Sequence, residues 1–238
     1  MPETTWVYLI GLAAFTGVVH TVMGPDHYVP FIVMAQSRRW SLTKTLAVTL
    51  ACGLAHVLSS VLLGAIGVAV GLAVGGLNAV EAARAEVAGW LLLGFGLAYT
   101  VWGIRRAILD RPHGHLHLHA DGIVHRHPEG HIKTHTHEHT EEQTRSTLTT
   151  WTLFTIFIFG PCEPLIPQLM YPAATRSWWG LWVVVAVFAL ATIGTMTVVV
   201  AAGYAGLKRI PLARLERYTH AAAGLAIVVC GLAIKMGL

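Results

Sequence analysis

The chain alternates between long apolar runs and shorter polar connections. Six of these runs have about the 20 residues that an α-helix needs to cross the hydrocarbon core of a bilayer. They lie at residues 6–35, 46–73, 88–106, 148–175, 178–207 and 218–237. Because a soluble core does not require so many long apolar segments, the pattern predicts an all-α polytopic membrane protein with six transmembrane helices.

The Lys and Arg residues are distributed unevenly between the two predicted sides of the membrane. The connections after spans one, three and five contain thirteen of them, and the opposite side contains only Arg84, Arg176 and Lys235. Basic residues accumulate on the cytoplasmic side of plasma or inner membranes, so both termini are predicted to lie outside. The net charge of +4 is therefore interpreted as a topology signal and not as a nucleic-acid-binding surface.

The two halves of the chain resemble each other weakly. Shifts of 136 and 128 residues align Gly24-Pro25 with Gly160-Pro161, Gly96 with Gly224, and Gly103 with Gly231. An odd number of spans in each repeat inverts the second copy, as in many secondary transporters. We therefore predict two inverted three-helix repeats with broken first helices, at residues 1–106 and 148–238.

A polar segment at residues 107–147 connects the two predicted repeats and is expected in the cytoplasm. It contains ten of the fourteen histidines, namely His113, His115, His117, His119, His125, His127, His131, His135, His137 and His139. Such a tract cannot build an apolar core and is expected to be flexible without metal. Dense imidazoles favour transition-metal association. A solvated linker or a pH-responsive charge patch is the alternative.

Three ionisable residues lie near the middle of span one, around the Gly24-Pro25 pair. His20, Asp26 and His27 would be costly in hydrocarbon without a partner, a water-filled cavity or an ion. The proline also removes a helical hydrogen bond, which frees a backbone carbonyl at the same depth. The pattern predicts a metal or proton site at a helix break, with interhelical hydrogen bonds beside a proline kink as the alternative.

Spans two and four supply three further candidates. In span four, Cys162 and Glu163 align with Asp26 and His27 under the shift of 136 residues and stand among three prolines. Glu163 is predicted to bind metal or carry protons, and Cys162 to bind metal or to serve as a small buried side chain. In span two, His56 is predicted to be a ligand or relay, or else to form a helix-packing hydrogen bond.

Residues 17–27, G-V-V-H-T-V-M-G-P-D-H, together with Arg38-Arg39-Trp40 and G-L-A-H at 53–56, resemble the nickel/cobalt transporter superfamily. The resemblance is specific over about residues 10–70 and is greatest to the six-span, UreH-like branch. It implies that His20, Asp26, His27 and His56 bind the metal. It also implies a His-rich cytoplasmic loop. In the better-known family signature, four residues separate the His from the Asp-His pair, whereas five do so here.

The second half also resembles another family. Gly-Pro-Cys-Glu-Pro at residues 160–164 is similar to the broken helices of thiol-transferring CcdA/DsbD-type membrane proteins. Those proteins use a redox cysteine in each half, but here Asp26 is the counterpart of Cys162. The missing dithiol argues against electron transfer. A cysteine in the ligand set would make the site softer and leaves the metal open among nickel, cobalt, zinc and others.

These observations predict a transporter for a divalent transition-metal cation, with nickel or cobalt as the leading candidates and no prosthetic group. A membrane metallochaperone or metal sensor and a thiol-redox membrane protein are the alternatives. The chain has no Walker motif and no H-E-x-x-H, so we do not expect an enzyme. Besides lipid and the metal ion, the candidate partners are a soluble metallochaperone, a separate ATPase and a second copy of the chain.

Overall fold

The computed structural model describes residues 3–70, 74–109, 113–118, 124–129, 139–160, 162, 164–175, 177–209 and 216–237. Within these ranges the chain forms eight α-helices and one β-hairpin. The helices are α1 Glu3–Met23, α2 Val29–Ser37, α3 Leu42–Val70, α4 Val74–Leu109, α5 His139–Phe159, α6 Leu165–Ala174, α7 Trp178–Lys208 and α8 Thr219–Lys235. Short 3-10 helices at Pro25–His27 and Glu216–Tyr218 precede α2 and α8.

Four helical segments in the described part of the chain are long and apolar enough to cross a membrane. They are Thr5–Met23, Leu42–Gly67, Gly76–Leu109 and Trp178–Lys208, in predicted spans one, two, three and five. Spans four and six contain the shorter apolar helices Thr149–Phe159 and Thr219–Lys235. The molecule is therefore a helical, membrane-embedded protein, as the hydropathy pattern predicted.

Two helices begin at least nine residues earlier than hydropathy predicted. The expected starts were residues 88 and 148, whereas α4 begins at Val74 and α5 at His139. The charged residues Glu81, Arg84 and Glu86 interrupt the apolar run of α4, but Glu81 and Arg84 form an ion pair inside the helix bundle. Arg84, which hydropathy placed between spans two and three, therefore lies within a candidate membrane span.

Glycines permit close packing between α4 and α8, which run antiparallel. A Cβ on Gly96 would lie 2.7 Å from the backbone nitrogen of Val228, and one on Gly224 would lie 2.5 Å from that of Thr100. Small residues allow helices in lipid to approach until their backbones touch. In the rest of the bundle α1 packs on α7, α3 packs on α5 and α7, and α2 packs on α8.

Two apolar clusters fill the bundle. The first includes Phe31 and Phe157, and it also contains buried side chains of α3, α4, α7 and α8. The second includes Val57, Cys162 and Phe188. Residues of both clusters border the histidines described below.

Part of the His-rich tract pairs as an antiparallel hairpin of β1 His113–Leu118 and β2 Val124–Glu129. Its backbone register places His115 opposite His127 and His117 opposite His125. His119, His131, His135 and His137 lie outside the described residues. The metal association of the tract and the domain limits 1–106, 107–147 and 148–238 remain predictions.

Candidate metal centre

The first predicted helix break lies between α1 and α2. Helix α1 ends at Met23, Gly24 is extended with φ −89° and ψ 96°, and Pro25–His27 forms a 3-10 turn. The backbone nitrogen of Gly24 still donates to the carbonyl of His20 at 3.1 Å, and that of His27 donates to the carbonyl of Gly24 at 3.1 Å. Local backbone hydrogen bonds thus continue through the break.

This break brings His20 and His27 together. Seven residues of continuous helix would separate them by about 10.5 Å along the axis, but their ring centroids are 4.6 Å apart. Glycine at position 24 makes room for the His27 ring, because a Cβ there would lie 2.6 Å from Nδ1 of His27. The Gly-Pro pair is therefore the local cause of the juxtaposition.

Helix α3 contributes the third histidine. The ring centroid of His56 lies 5.1 Å from that of His27 and 6.0 Å from that of His20. One potential ligand atom from each of the three side chains lies within 4.8 Å of the others. His27 and His56 are buried, with 2% and 1% of their surface exposed. These three histidines are called the His cluster below.

One ring nitrogen of each histidine in the His cluster has no hydrogen-bond partner among the described residues. Nδ1 of His27 lies 3.2 Å from the Gly24 carbonyl and 3.3 Å from Oδ1 of Asp26, and Nδ1 of His56 lies 3.4 Å from the Phe157 carbonyl. Nε2 of all three histidines is buried without a hydrogen-bond partner among the described residues. A carbonyl acceptor at Nδ1 requires Nδ1–H, so that in a neutral ring the lone pair is on Nε2, the tautomer that can bind metal through Nε2.

The Asp26 carboxylate lies beside the His27 ring. The sequence predicted it as a ligand, but among the described residues the group of converging ligand atoms comprises only His20, His27 and His56. The Asp26 carboxylate instead contacts Nδ1 of His27. This carboxylate–histidine arrangement typically fixes the orientation of a metal-binding ring and raises its basicity.

The candidates from span four have different outcomes. Cys162 is fully buried in the second apolar cluster, and it is not among the converging side chains. Its backbone nitrogen donates to Oε2 of Glu81. Glu163 lies outside the described residues, so its predicted role remains a prediction.

Aromatic side chains line the His cluster on two sides. The Phe157 ring lies 6.4 Å from that of His27 and 6.2 Å from that of His56, and the Phe188 ring lies 6.4 Å from that of His20. Apolar walls limit solvent access and lower the local dielectric around a metal site. The site therefore combines three imidazoles with aromatic neighbours.

Sequence reasoning missed the buried Glu81–Arg84 pair of α4. Glu81 is completely buried, and its carboxylate receives a hydrogen bond from Arg84 at 2.5 Å. The available signal was the three-residue spacing of opposite charges, which places both on one face of a helix. Hydropathy placed these charges between spans two and three, so their spacing did not predict an ion pair within a helix.

Comparisons with models of known protein families, with characterised proteins and with solved structures found no match to this chain. The functional argument therefore depends on the site and on the motifs of the sequence.

Proposed function

We propose that the protein is a membrane transporter of a divalent transition-metal cation, which binds within the bilayer at the break between α1 and α2. The observation that carries this proposal has two parts: ligand atoms of His20, His27 and His56 lie within 4.8 Å of one another, and Nε2 of each ring is buried without a hydrogen-bond partner among the described residues. A buried polar atom without a partner is uncommon in proteins and calls for an explanation such as an ion. A divalent ion held by the three imidazoles would be such an explanation.

The donor set favours nickel or cobalt, with zinc as a further candidate. Neutral imidazole suits late first-row transition metals and is a poor match for calcium or magnesium, which prefer oxygen ligands. Three protein ligands also leave coordination positions open, whereas structural zinc sites are closed by four. Open positions allow the ion to exchange, as transport requires. The resemblance of residues 17–27 and 53–56 to the nickel/cobalt transporter superfamily supports the same metals.

The packing of α4 on α8 supports six spans arranged as two inverted repeats. A two-fold relation makes contacts reciprocal, so that if one residue touches a second, their counterparts touch in the opposite order. The shift of 128 residues converts the Gly96–Val228 contact into the Gly224–Thr100 contact. It likewise converts Gly103–Ala221 into Gly231–Leu93. Rocking of such repeats around a central ion gives alternating access.

In this proposal both termini face outward and the His-rich tract faces the cytoplasm, as the distribution of Lys and Arg favours. The tract would concentrate metal before export or buffer it after import. No structural observation favours the thiol-redox alternative, since Cys52, Cys162 and Cys230 are all free and buried. The metallochaperone alternative depends on the tract and is tested by its deletion.

Elemental analysis of whole cells tests transport. Cells expressing the wild type, His20→Ala or His56→Ala would be compared with an empty vector across nickel, cobalt and zinc. We expect the wild type to change the content of at least one metal, upward for import or downward for export. The two variants should resemble the vector because each removes one of three ligands.

His220→Ala provides the matched control. His220 bonds to Tyr99 near the start of α8, and its ring is not part of the His cluster. At equal expression it should behave as the wild type does. If no metal differed between the wild type and the vector, the transporter proposal would be wrong.

A further inference from the structure

The Glu81–Arg84 ion pair replaces one helical hydrogen bond at the second helix break, between α5 and α6. In a continuous helix the backbone nitrogen of Cys162 would donate to the carbonyl of Ile158, four residues earlier. Instead it donates to Oε2 of Glu81 at 3.1 Å. The Ile158 carbonyl accepts from Nη2 of Arg84 at 2.7 Å. The Glu81 carboxylate and the Arg84 guanidinium thus provide partners for the N–H and the carbonyl that would otherwise have bonded to each other.

Arg84 is held by groups from three segments. Besides the Ile158 carbonyl, its guanidinium donates to Oε1 of Glu81 at 2.5 Å and to the Gly160 carbonyl at 3.1 Å. It also donates to Oγ of Ser59 at 2.6 Å and of Ser60 at 3.0 Å. These serines follow His56 by about one turn of α3. The pair therefore ties α3 and α4 to the break.

The same break determines where the His56 ring lies. The Phe157 carbonyl accepts from the backbone nitrogen of Gly160 at 3.2 Å and lies 3.4 Å from Nδ1 of His56. Gly160 packs directly on this ring, since a Cβ there would lie 2.9 Å from Nδ1. Arg84 holds the carbonyl of Ile158, the residue after Phe157, and the carbonyl of Gly160, which packs on the His56 ring. A shift of these carbonyls would displace the Phe157 carbonyl and the ring.

We propose that Glu81 and Arg84 are positioning residues for the His cluster. They hold the second break open so that the Phe157 carbonyl fixes Nδ1–H of His56 and directs its Nε2 toward His20 and His27. The consequence for metal affinity rests on the proposed function, but the consequence for the His56 ring does not. Arginine suits this role because its planar guanidinium offers five donors, whereas lysine offers three from one atom.

Two substitutions at the pair and one matched control test this role in purified protein in lipid nanodiscs. Arg84→Lys keeps the charge but removes the planar fork, and Glu81→Gln removes the charge of the acceptor. Glu86→Gln is the control, because Glu86 is on the same helix and pairs with Lys235 at an exposed position. The readouts are ¹⁵N-histidine NMR spectra of the metal-free protein, the affinity for Ni²⁺ by calorimetry, and thermal unfolding.

We expect the wild type and Glu86→Gln to show His56 as the Nδ1–H tautomer. Arg84→Lys and Glu81→Gln should show mixed tautomers and Ni²⁺ affinity weaker by about 10- to 100-fold, the usual effect of losing an outer-shell partner. If the folded variants kept both the tautomer and the affinity, the positioning role would be wrong, even if they unfolded at lower temperature. If the tautomer changed but the wild type bound no Ni²⁺, the positioning of His56 would stand and the proposed function would fail.

Ser60→Ala covers the case in which the charged variants do not fold. It removes a single acceptor of Arg84 and leaves the ion pair intact. We expect a smaller change of the same kind, a weakening of Ni²⁺ affinity by several-fold together with partial loss of the Nδ1–H tautomer. An unchanged tautomer and affinity in Ser60→Ala would then overturn the proposal.

Discussion

At the scale of single residues, the candidate site depends on which ring nitrogen of each histidine forms a hydrogen bond. Hydrogen bonds at Nδ1 of His27 and His56 leave Nε2 of each ring without a partner among the described residues. Asp26 was predicted as a ligand from its position in an apolar span, yet its carboxylate lies beside Nδ1 of His27. Sequence position could not distinguish direct binding from orientation of a neighbouring ring, because both place the same residue types at the break.

Asp26→Asn separates these two roles. If the carboxylate only orients His27, the neutral amide should weaken Ni²⁺ affinity by about 10- to 100-fold and leave the number of bound ions unchanged. Calorimetry on the purified protein measures both quantities. His27→Ala serves for comparison and should abolish binding at this site. Complete loss of the ion in Asp26→Asn would identify Asp26 as a ligand instead.

At the scale of elements, the two helix breaks are stabilised differently. The first is satisfied within its own segment, by hydrogen bonds from Gly24 to His20 and from His27 to Gly24. The second receives its main partners from another helix, Glu81 and Arg84 of α4. Buried backbone groups must find partners, and the charged residues of α4 provide them within the bundle. Proline spacing predicted both breaks, but could not predict the source of these partners.

The packing of α4 on α8 is tested by Gly96→Ala. The added methyl group would lie 2.7 Å from the backbone nitrogen of Val228, so the two helices must move apart. Overpacking of this kind typically destabilises by about 1–3 kcal/mol, and we expect a lower thermal unfolding midpoint in detergent. Gly94→Ala is the control two residues earlier on the same helix, where a Cβ would have no neighbour within 4 Å. Equal stability of the two variants would contradict the close helix contact.

At the scale of the whole molecule, the His cluster and the His-rich tract are distinct candidate metal sites. The cluster is assembled from α1, the break and α3, which pack with α7 and α5 inside the bundle. The tract joins α4 to α5, and its described portion pairs as a hairpin. Among the described residues, the group of converging ligand atoms includes none from the tract.

Deletion of residues 113–137, with a Gly-Ser linker in their place, tests this separation. We expect the affinity of the intramembrane site for Ni²⁺ to stay within about twofold, because distant sites act independently to within a few tenths of a kcal/mol. The total number of bound ions should fall. Calorimetry and the cellular metal content measure the two effects. Retained metal binding with no transport, and loss of a soluble partner, would favour the metallochaperone alternative.

The sequence by itself determined the helical class, the membrane location, the positions of both breaks and the membership of His20, His27 and His56 in one candidate site. Each of these follows from local chemistry. A long apolar run favours a membrane helix, a proline interrupts helical hydrogen bonding, and polar residues in lipid need a partner or an ion. The tertiary structure decided that the Asp26 carboxylate contacts Nδ1 of His27, that Cys162 packs in an apolar cluster and that Glu81 and Arg84 bond to the backbone at the second break. Those outcomes depend on contacts between helices distant in the chain, which no local pattern encodes.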